Sequence, residues 1–178
     1  NLVYCNYSYT NTKEHYLPWI EPFGHHAINH EIIVTQNQAW IQAFWAPFSG
    51  TYDSISIQQG DQSDGDSDFS LEVAIYDNSQ TLISNIVNID PSTLDWKFYN
   101  EINKLNVTFT KNNRYFILIR NVGPNIWKGA GFNGHNHAGR RMVWKQTHST
   151  VPNSLIDLND SSGSASGGDT IYFKIFKS

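Results

Sequence analysis

The chain has 178 residues, a formal net charge of −4, and 39% hydrophobic against 16% charged residues. This length and composition indicate a single folded domain with one well-buried core, and they exclude a disordered chain. Lys and Arg are scattered along the chain, which excludes the basic surface that nucleic-acid binding requires. One cysteine, Cys5, excludes an internal disulfide framework. No apolar run reaches the roughly 18 residues that span a bilayer, so we expect no membrane insertion.

The stretch from Ala39 to Ile57 organises the predicted fold. Its first half is an apolar, aromatic-rich run of strand length. Pro47 should end this strand, because proline fixes φ and removes a backbone donor. Ser49-Gly50 then supplies a turn, and a second strand follows. We therefore predict two paired strands at the centre of an all-β core.

Two-residue alternation predicts further strands in the middle of the chain. Phe69 to Tyr76 alternates cleanly between apolar and mixed faces. Leu105 to Phe109 also alternates, and the turn at Lys111-Asn112-Asn113 connects it to the apolar run Tyr115 to Ile119, which predicts a hairpin. Tyr115 to Ile119 is apolar on both faces, which indicates either a strand covered on both sides or one face buried at a subunit interface.

The last third of the chain contains two long predicted loops. Asn121 to Gly139 is rich in glycine, and Val151 to Gly168 ends in a serine/glycine run. Short strands are expected at Arg141 to Gln146 and at Asp169 to Phe176. With about nine or ten strands and no convincing helix, residues 1–178 are predicted to form one all-β domain, a two-sheet antiparallel β-sandwich of jelly-roll type.

An acidic tip between two predicted strands is a candidate metal site. Oxygen clusters of this kind can hold Ca²⁺. The EF-hand spacing fails, because counting from Asp64 the sixth position is Phe69 and the twelfth is Ile75. A Ca²⁺ site and a solvated hairpin tip both stay open, and no other cofactor is indicated. The carboxylates of this tip are Asp61, Asp64, Asp66 and Asp68.

Histidines form two further groups with metal-ligating chemistry. His25 and His26 lie near His30, and His135 and His137 are two residues apart. On an extended segment such a pair projects to one side, so that a symmetric oligomer could hold an axial ion. The alternative is that both groups lie in polar surface loops.

No catalytic motif is present in the sequence. It contains no Gly-x-Ser-x-Gly elbow, no His-Glu-x-x-His and no phosphate-binding loop. Glu72 is the one acidic residue in a strand context that could isolate it as an acid. We therefore expect a protein that is not an enzyme.

Aromatic, Arg and His residues concentrate in the segment between residues 127 and 144. Aromatic faces pack against the apolar C–H surface of a sugar ring, while Arg and His supply hydrogen bonds to hydroxyls. An N-acetyl or carboxylate group would also use the guanidinium groups. The alternative is that Trp127 and Trp144 are core or subunit-interface residues. The predicted ligand-binding residues are Trp127, Phe132, His135, His137, Arg140, Arg141 and Trp144.

Four short stretches resemble the opening of jelly-roll head domains in phage tail-fibre and virion surface proteins. They are His15-Tyr16-Leu17-Pro18-Trp19, Glu31, Trp45-Ala46-Pro47-Phe48-Ser49-Gly50 and Ile55-Ser56-Ile57. The Asn121 to Gly139 loop and the ending Asp169 to Phe176 are instead similar to carbohydrate-binding modules. Both resemblances imply a non-catalytic adhesive sandwich outside the cell. Fibre heads imply a homotrimer, and free binding modules a monomer.

The leading functional prediction is therefore a receptor- or glycan-binding adhesin tip domain of a trimeric, tail-fibre-like protein. It would be the tip of a longer fibre or surface protein, and it would lie outside the cell, on a cell surface or on a virion. One alternative is a structural virion or decoration protein. The other is the carbohydrate-binding module of a larger extracellular enzyme.

Overall fold

The fold of the protein is all-β, as the sequence predicts. A computed structural model describes residues 30–60, 69–90, 98–133, 143–155, 158, 169–171 and 173–178. These residues form thirteen strands and no helix, and so they contain no helix that could cross a membrane. The strands are β1 His30–Val34, β2 Gln38–Trp45, β3 Gly50–Tyr52, β4 Ser54–Gln58, β5 Leu71–Tyr76, β6 Val87–Ile89, β7 Phe98–Glu101, β8 Val107–Phe109, β9 Arg114–Asn121, β10 Trp127–Asn133, β11 Val143–Thr147, β12 Asp169–Ile171 and β13 Phe173–Phe176.

The largest sheet has five antiparallel strands in the order β11-β2-β9-β5-β6. Its centre, β9, is the apolar run that the sequence predicts as a strand. Strand β9 pairs with β2 along seven residues and with β5 along six. The strands at its centre are those with the longest apolar runs, because a central strand can be covered on both faces.

Three smaller sheets oppose or flank the five-stranded sheet. Their orders are β1-β10-β12, β13-β4-β7 and β3-β8. Only residue 172 separates β12 from β13, so two strands that nearly adjoin in the chain belong to the first and the second of these sheets. A bridge between Gln59 and Gly129 joins the same two sheets a second time.

The main hydrophobic core lies between the five-stranded sheet and the smaller sheets. Alternate residues of β5 and β9, such as Val73 and Ile117, meet Ile55 of β4 there, and all three are fully buried. A buried amide also connects the layers, since the backbone N–H of Ile171 donates to Oε1 of Gln42 at 3.0 Å. The side-chain amide of Asn121 in β9 likewise donates to the carbonyl of Val34 in β1 at 2.9 Å. The two layers are thus held by apolar packing and by specific buried polar contacts.

A second core covers the other face of the five-stranded sheet. Phe116 and Leu118 of β9 pack there with Leu155 and Leu158. The covering segment is tied down by hydrogen bonds, among them one from the Tyr76 hydroxyl to the carbonyl of Pro152 at 2.7 Å. The run from Tyr115 to Ile119 is therefore covered on both sides within one chain, and its composition does not require a subunit interface.

Two predicted strand pairings are wrong. Strand β2 pairs with β9 and β11, whereas β4 pairs with β7 and β13, so the strands on either side of Pro47 belong to different sheets. Strand β8 pairs with β3 and not with β9, so the expected hairpin does not form. Instead, the rings of Phe109 and Tyr115 meet edge to face in the core, with their centroids 4.7 Å apart. Both links carry the chain from one layer to the other.

Two segments predicted as loops contain strands. Strand β7 lies in the stretch Pro91 to Asn103, which its polar composition predicts to be a link, and β10 lies within the predicted loop Asn121 to Gly139. Gly129 of β10 is explained by packing, because a Cβ there would stand 2.7 Å from the indole ring of Trp127. Glycine here marks a close approach within a strand, and not a loop.

Candidate functional site

The two tryptophans of the predicted ligand site are core residues. Trp127 is 1% exposed and belongs to the main core, whereas Trp144 is 1% exposed and belongs to the second core. They lie in different cores, so they do not form one aromatic surface. Their burial agrees with the structural alternative and corrects their assignment as ligand contacts.

Most other predicted site residues lie outside the described part of the chain. Phe132 lies in β10, where its backbone pairs with Thr170 of β12, and its side chain is not described. His135, His137, Arg140 and Arg141, like the histidines at 25 and 26 and Cys5, lie outside the described residues. Their roles stay predictions.

The predicted Ca²⁺ site also lies outside the described residues, since Asp61, Asp64, Asp66 and Asp68 fall in the undescribed range 61–68. Among the residues that the structure does describe, no group of three or more His, Cys, Asp or Glu side chains could hold a metal ion. The Ca²⁺ hypothesis is therefore unchanged.

A different aromatic surface lies where the chain leaves β2. Trp45 ends this strand with 38% of its surface exposed, and Phe48 in the following corner is 45% exposed. We call this surface the corner site; its residues are Trp45, Phe48, Ser49, Lys111, Asn112 and Arg114. Large aromatic side chains in solvent give a ligand apolar area that is already in place.

The corner is held rigidly by backbone hydrogen bonds to the turn before β9. The N–H of Ala46 donates to the carbonyl of Asn113 at 3.1 Å, and the N–H of Asn112 donates to the carbonyl of Ala46 at 2.7 Å. The N–H of Lys111 also donates to the Ser49 hydroxyl oxygen at 2.8 Å. Asn112 adopts a left-handed φ of 66°, which asparagine tolerates better than most residues. The corner and the turn thus form one fixed unit.

Arg114 orients the exposed indole. Its guanidinium carbon lies 5.6 Å from the ring centroid of Trp45, 4.8 Å from that of Phe116 and 5.7 Å from that of Trp144. Cation–π attraction between a guanidinium and these rings fixes the Trp45 side chain against the buried second core. A ligand therefore meets an indole whose conformational entropy has already been lost.

The strand pattern explains why Trp45 is exposed while its neighbours are buried. Ile41, Ala43 and Trp45 project from the same face of β2, and the first two are buried in the second core. Trp45 is the last of the three, two residues before Pro47, where the strand and its cover both end. The signal for this exposure in the sequence was an aromatic residue at the end of a strand that proline terminates.

A second polar cluster lies at the opposite end of β9. Arg120, 4% exposed, donates from Nη1 to the Glu72 carboxylate at 2.6 Å and from Nη2 to Oδ1 of Asn37 at 2.8 Å. Its Nε donates to the carbonyl of His148 at 2.7 Å. Burial, and next the charge of Arg120, lower the pKa of His148. These contacts use the arginine to fasten two loops to the sheet, and they commit the Glu72 carboxylate to an ion pair.

Comparison with known proteins adds no identity. No protein-family model matches the chain, and no curated protein matches it either.

Proposed function

We propose that the protein is a non-catalytic, glycan-binding adhesin domain that contacts its ligand through the corner site. The observation that carries this proposal is the exposed Trp45 indole, held in place by Arg114 on a corner tied to its neighbouring turn. Sugar rings present flat C–H surfaces that pack on an indole. Such packing requires neither a strongly charged protein surface nor a reactive group.

Polar groups around the indole support the same proposal. Asn112 and Asn113 are exposed beside it, and Lys111 and Ser49 border the same corner. Amide, ammonium and hydroxyl groups are donors and acceptors of the kind that bind sugar hydroxyls. An apolar surface with a few fixed polar groups is the usual composition of a small-ligand site.

The wider assignment is a trimeric fibre tip of jelly-roll type on a virion or cell surface, outside the cell. It rests on the sequence resemblance of the corner Trp45-Ala46-Pro47-Phe48-Ser49-Gly50 to fibre heads. The two-layer β architecture suits such a domain. In this proposal His135, His137, Arg140 and Arg141, which lie outside the described residues, stay predicted ligand contacts.

A glycan array probed with the isolated protein and with Trp45→Ala tests the proposal. We expect specific binding by the wild type and loss of at least tenfold in affinity in the variant, which should still unfold in one cooperative transition. Ile33→Ala is the matched control, because Ile33 is also a large apolar side chain, 48% exposed, in a different sheet. That control should bind like the wild type.

Each alternative function predicts a different result. A structural virion or decoration protein gives no glycan signal. A carbohydrate-binding module gives a glycan signal together with a monomer in light scattering at micromolar concentration. Unchanged glycan binding by Trp45→Ala would refute the corner site as the contact surface.

A further inference from the structure

The segments that build the corner site carry positive charge and no negative charge. Residues 44–51 and 107–116 contain Lys111 and Arg114 but neither Asp nor Glu, in a chain whose formal net charge is −4. Lys111 lies at the exposed tip of the turn. The corner is therefore locally cationic on a protein that is anionic as a whole.

A third cation approaches from β13. Nζ of Lys177 lies 5.3 Å from the ring centroid of Tyr52. It would stand 3.2 Å from a Cβ placed on Gly50, the residue that ends the corner. Any larger residue at Gly50, which has a φ of 149°, would displace this ammonium group and strain the backbone. The lysine is thus placed beside the corner by the fold.

The carboxylate that follows in the chain is directed elsewhere. Oδ1 of Asp53 accepts hydrogen bonds from the Ser54 hydroxyl at 2.7 Å and from the N–H of Ser178 at 2.9 Å. Its Oδ2 accepts from the Ser178 hydroxyl at 3.0 Å. These contacts join β4 to the end of β13, and they leave Lys177 over Tyr52 and beside Gly50.

We propose that the saccharide bound at the corner site is anionic, with a carboxylate or sulfate next to the ring that stacks on Trp45. This inference rests on the proposed glycan-binding function and adds the class of its ligand. Lys111 supplies the direct charge contact, Lys177 attracts the more distant part of the ligand, and Arg114 holds the indole. Surface charges of one sign raise the rate at which a protein associates with an oppositely charged ligand. They also lower the affinity of the protein for ligands of the same charge.

The test is an array that presents carboxylated and sulfated saccharides beside uncharged saccharides with the same ring skeleton. We expect acidic members to bind at least tenfold more tightly than their neutral counterparts, and the two acidic arms to separate carboxylate from sulfate recognition. Affinity for the acidic ligands should fall between 50 and 500 mM NaCl, because exposed charges are screened by salt.

Variants assign the effect to the named lysines. The double variant Lys111→Gln with Lys177→Gln should weaken acidic binding about tenfold and leave neutral binding within about twofold, as two surface charge contacts predict. Lys145→Gln makes the same charge change in β11, opposite Trp40 and about 17 Å along β2 from Trp45. This control should bind like the wild type.

The possible failures are distinguishable. Equal binding of acidic and neutral saccharides, lost in Trp45→Ala, would overturn the anionic class and keep glycan binding. An array without any signal would overturn both proposals. Binding to phosphatidylserine vesicles without saccharide binding would also overturn both, and would assign the corner to an anionic membrane surface.

Discussion

The two ends of β9 each carry an arginine on the same face of the same sheet, yet the protein uses them differently. Arg120 is buried, and it bonds to a carboxylate, a side-chain amide and backbone carbonyls. Arg114 is half-buried and stacks on three aromatic rings. Hydrogen bonds with fixed directions fasten loops to the sheet, whereas stacking leaves an indole in solvent. The first end therefore fastens loops to the sheet, whereas the second holds the exposed indole that we propose as the ligand contact.

The largest expected effect is at the buried end. Arg120→Met should lower the free energy of unfolding by about 3–5 kcal/mol, since it leaves the Glu72 carboxylate and two loops without their partner. Urea denaturation followed by circular dichroism measures it. A loss below about 1 kcal/mol would show that the cluster does not fasten the loops.

The same substitution at the other end should cost less stability. Arg114→Met keeps the apolar stem and removes the charge above three rings, which predicts a loss of about 1–2 kcal/mol. The loss in free energy of saccharide binding should be larger than the loss in free energy of unfolding, because the Trp45 indole is no longer held by the guanidinium. A variant that is destabilised as much as Arg120→Met would end the contrast between the two arginines.

Acid should weaken only the buried end. Burial and the Arg120 charge lower the pKa of His148 below its ordinary value of 6.5, so the unfolded chain binds a proton there more readily than the folded protein. The contribution of His148 to stability is therefore full above pH 6.5 and declines as the pH falls from there toward the folded-state pKa. The unfolding midpoint of His148→Gln should change less between pH 7 and pH 5 than the midpoint of the wild type. Parallel pH curves for the two proteins would contradict this.

The smallest expected effect on stability is at the exposed indole. Trp45→Phe should change the free energy of unfolding by less than about 0.5 kcal/mol, as for other surface substitutions. Because a smaller aromatic ring remains over Arg114, we expect glycan binding to weaken by about three- to tenfold and not to vanish, as measured by calorimetric titration. Equal affinity would show that ring size is irrelevant to recognition.

The sequence predicted individual strands better than their partners. Alternation identified β5, because Leu71 and Val73 project into one core with period two whichever strand lies beside them. Pairing was predicted from closeness in the chain, and it failed at the turn Lys111-Asn112-Asn113. That turn bonds to the distant Ala46 and redirects the chain to another layer, which local sequence does not encode.

The candidate site was predicted less well, for a related reason. Trp45 and Trp127 are the same type of residue, but Trp45 is partly exposed whereas Trp127 is buried in the main core. Gly129 looked like a loop residue, although it leaves room for the Trp127 ring. Exposure depends on what packs above a side chain, and that is a property of topology.

The buried amide of Gln42 limits how the two layers can shift. Apolar surfaces in contact permit small translations at little cost, since dispersion and burial have no preferred direction. The hydrogen bond from Ile171 to this amide does have a preferred direction. If one layer slid past the other by a single residue, the buried amide oxygen would be left without a donor. Strand β2, which ends at Trp45, is therefore held in one alignment with the opposite layer, and a force applied at Trp45 would load both layers together.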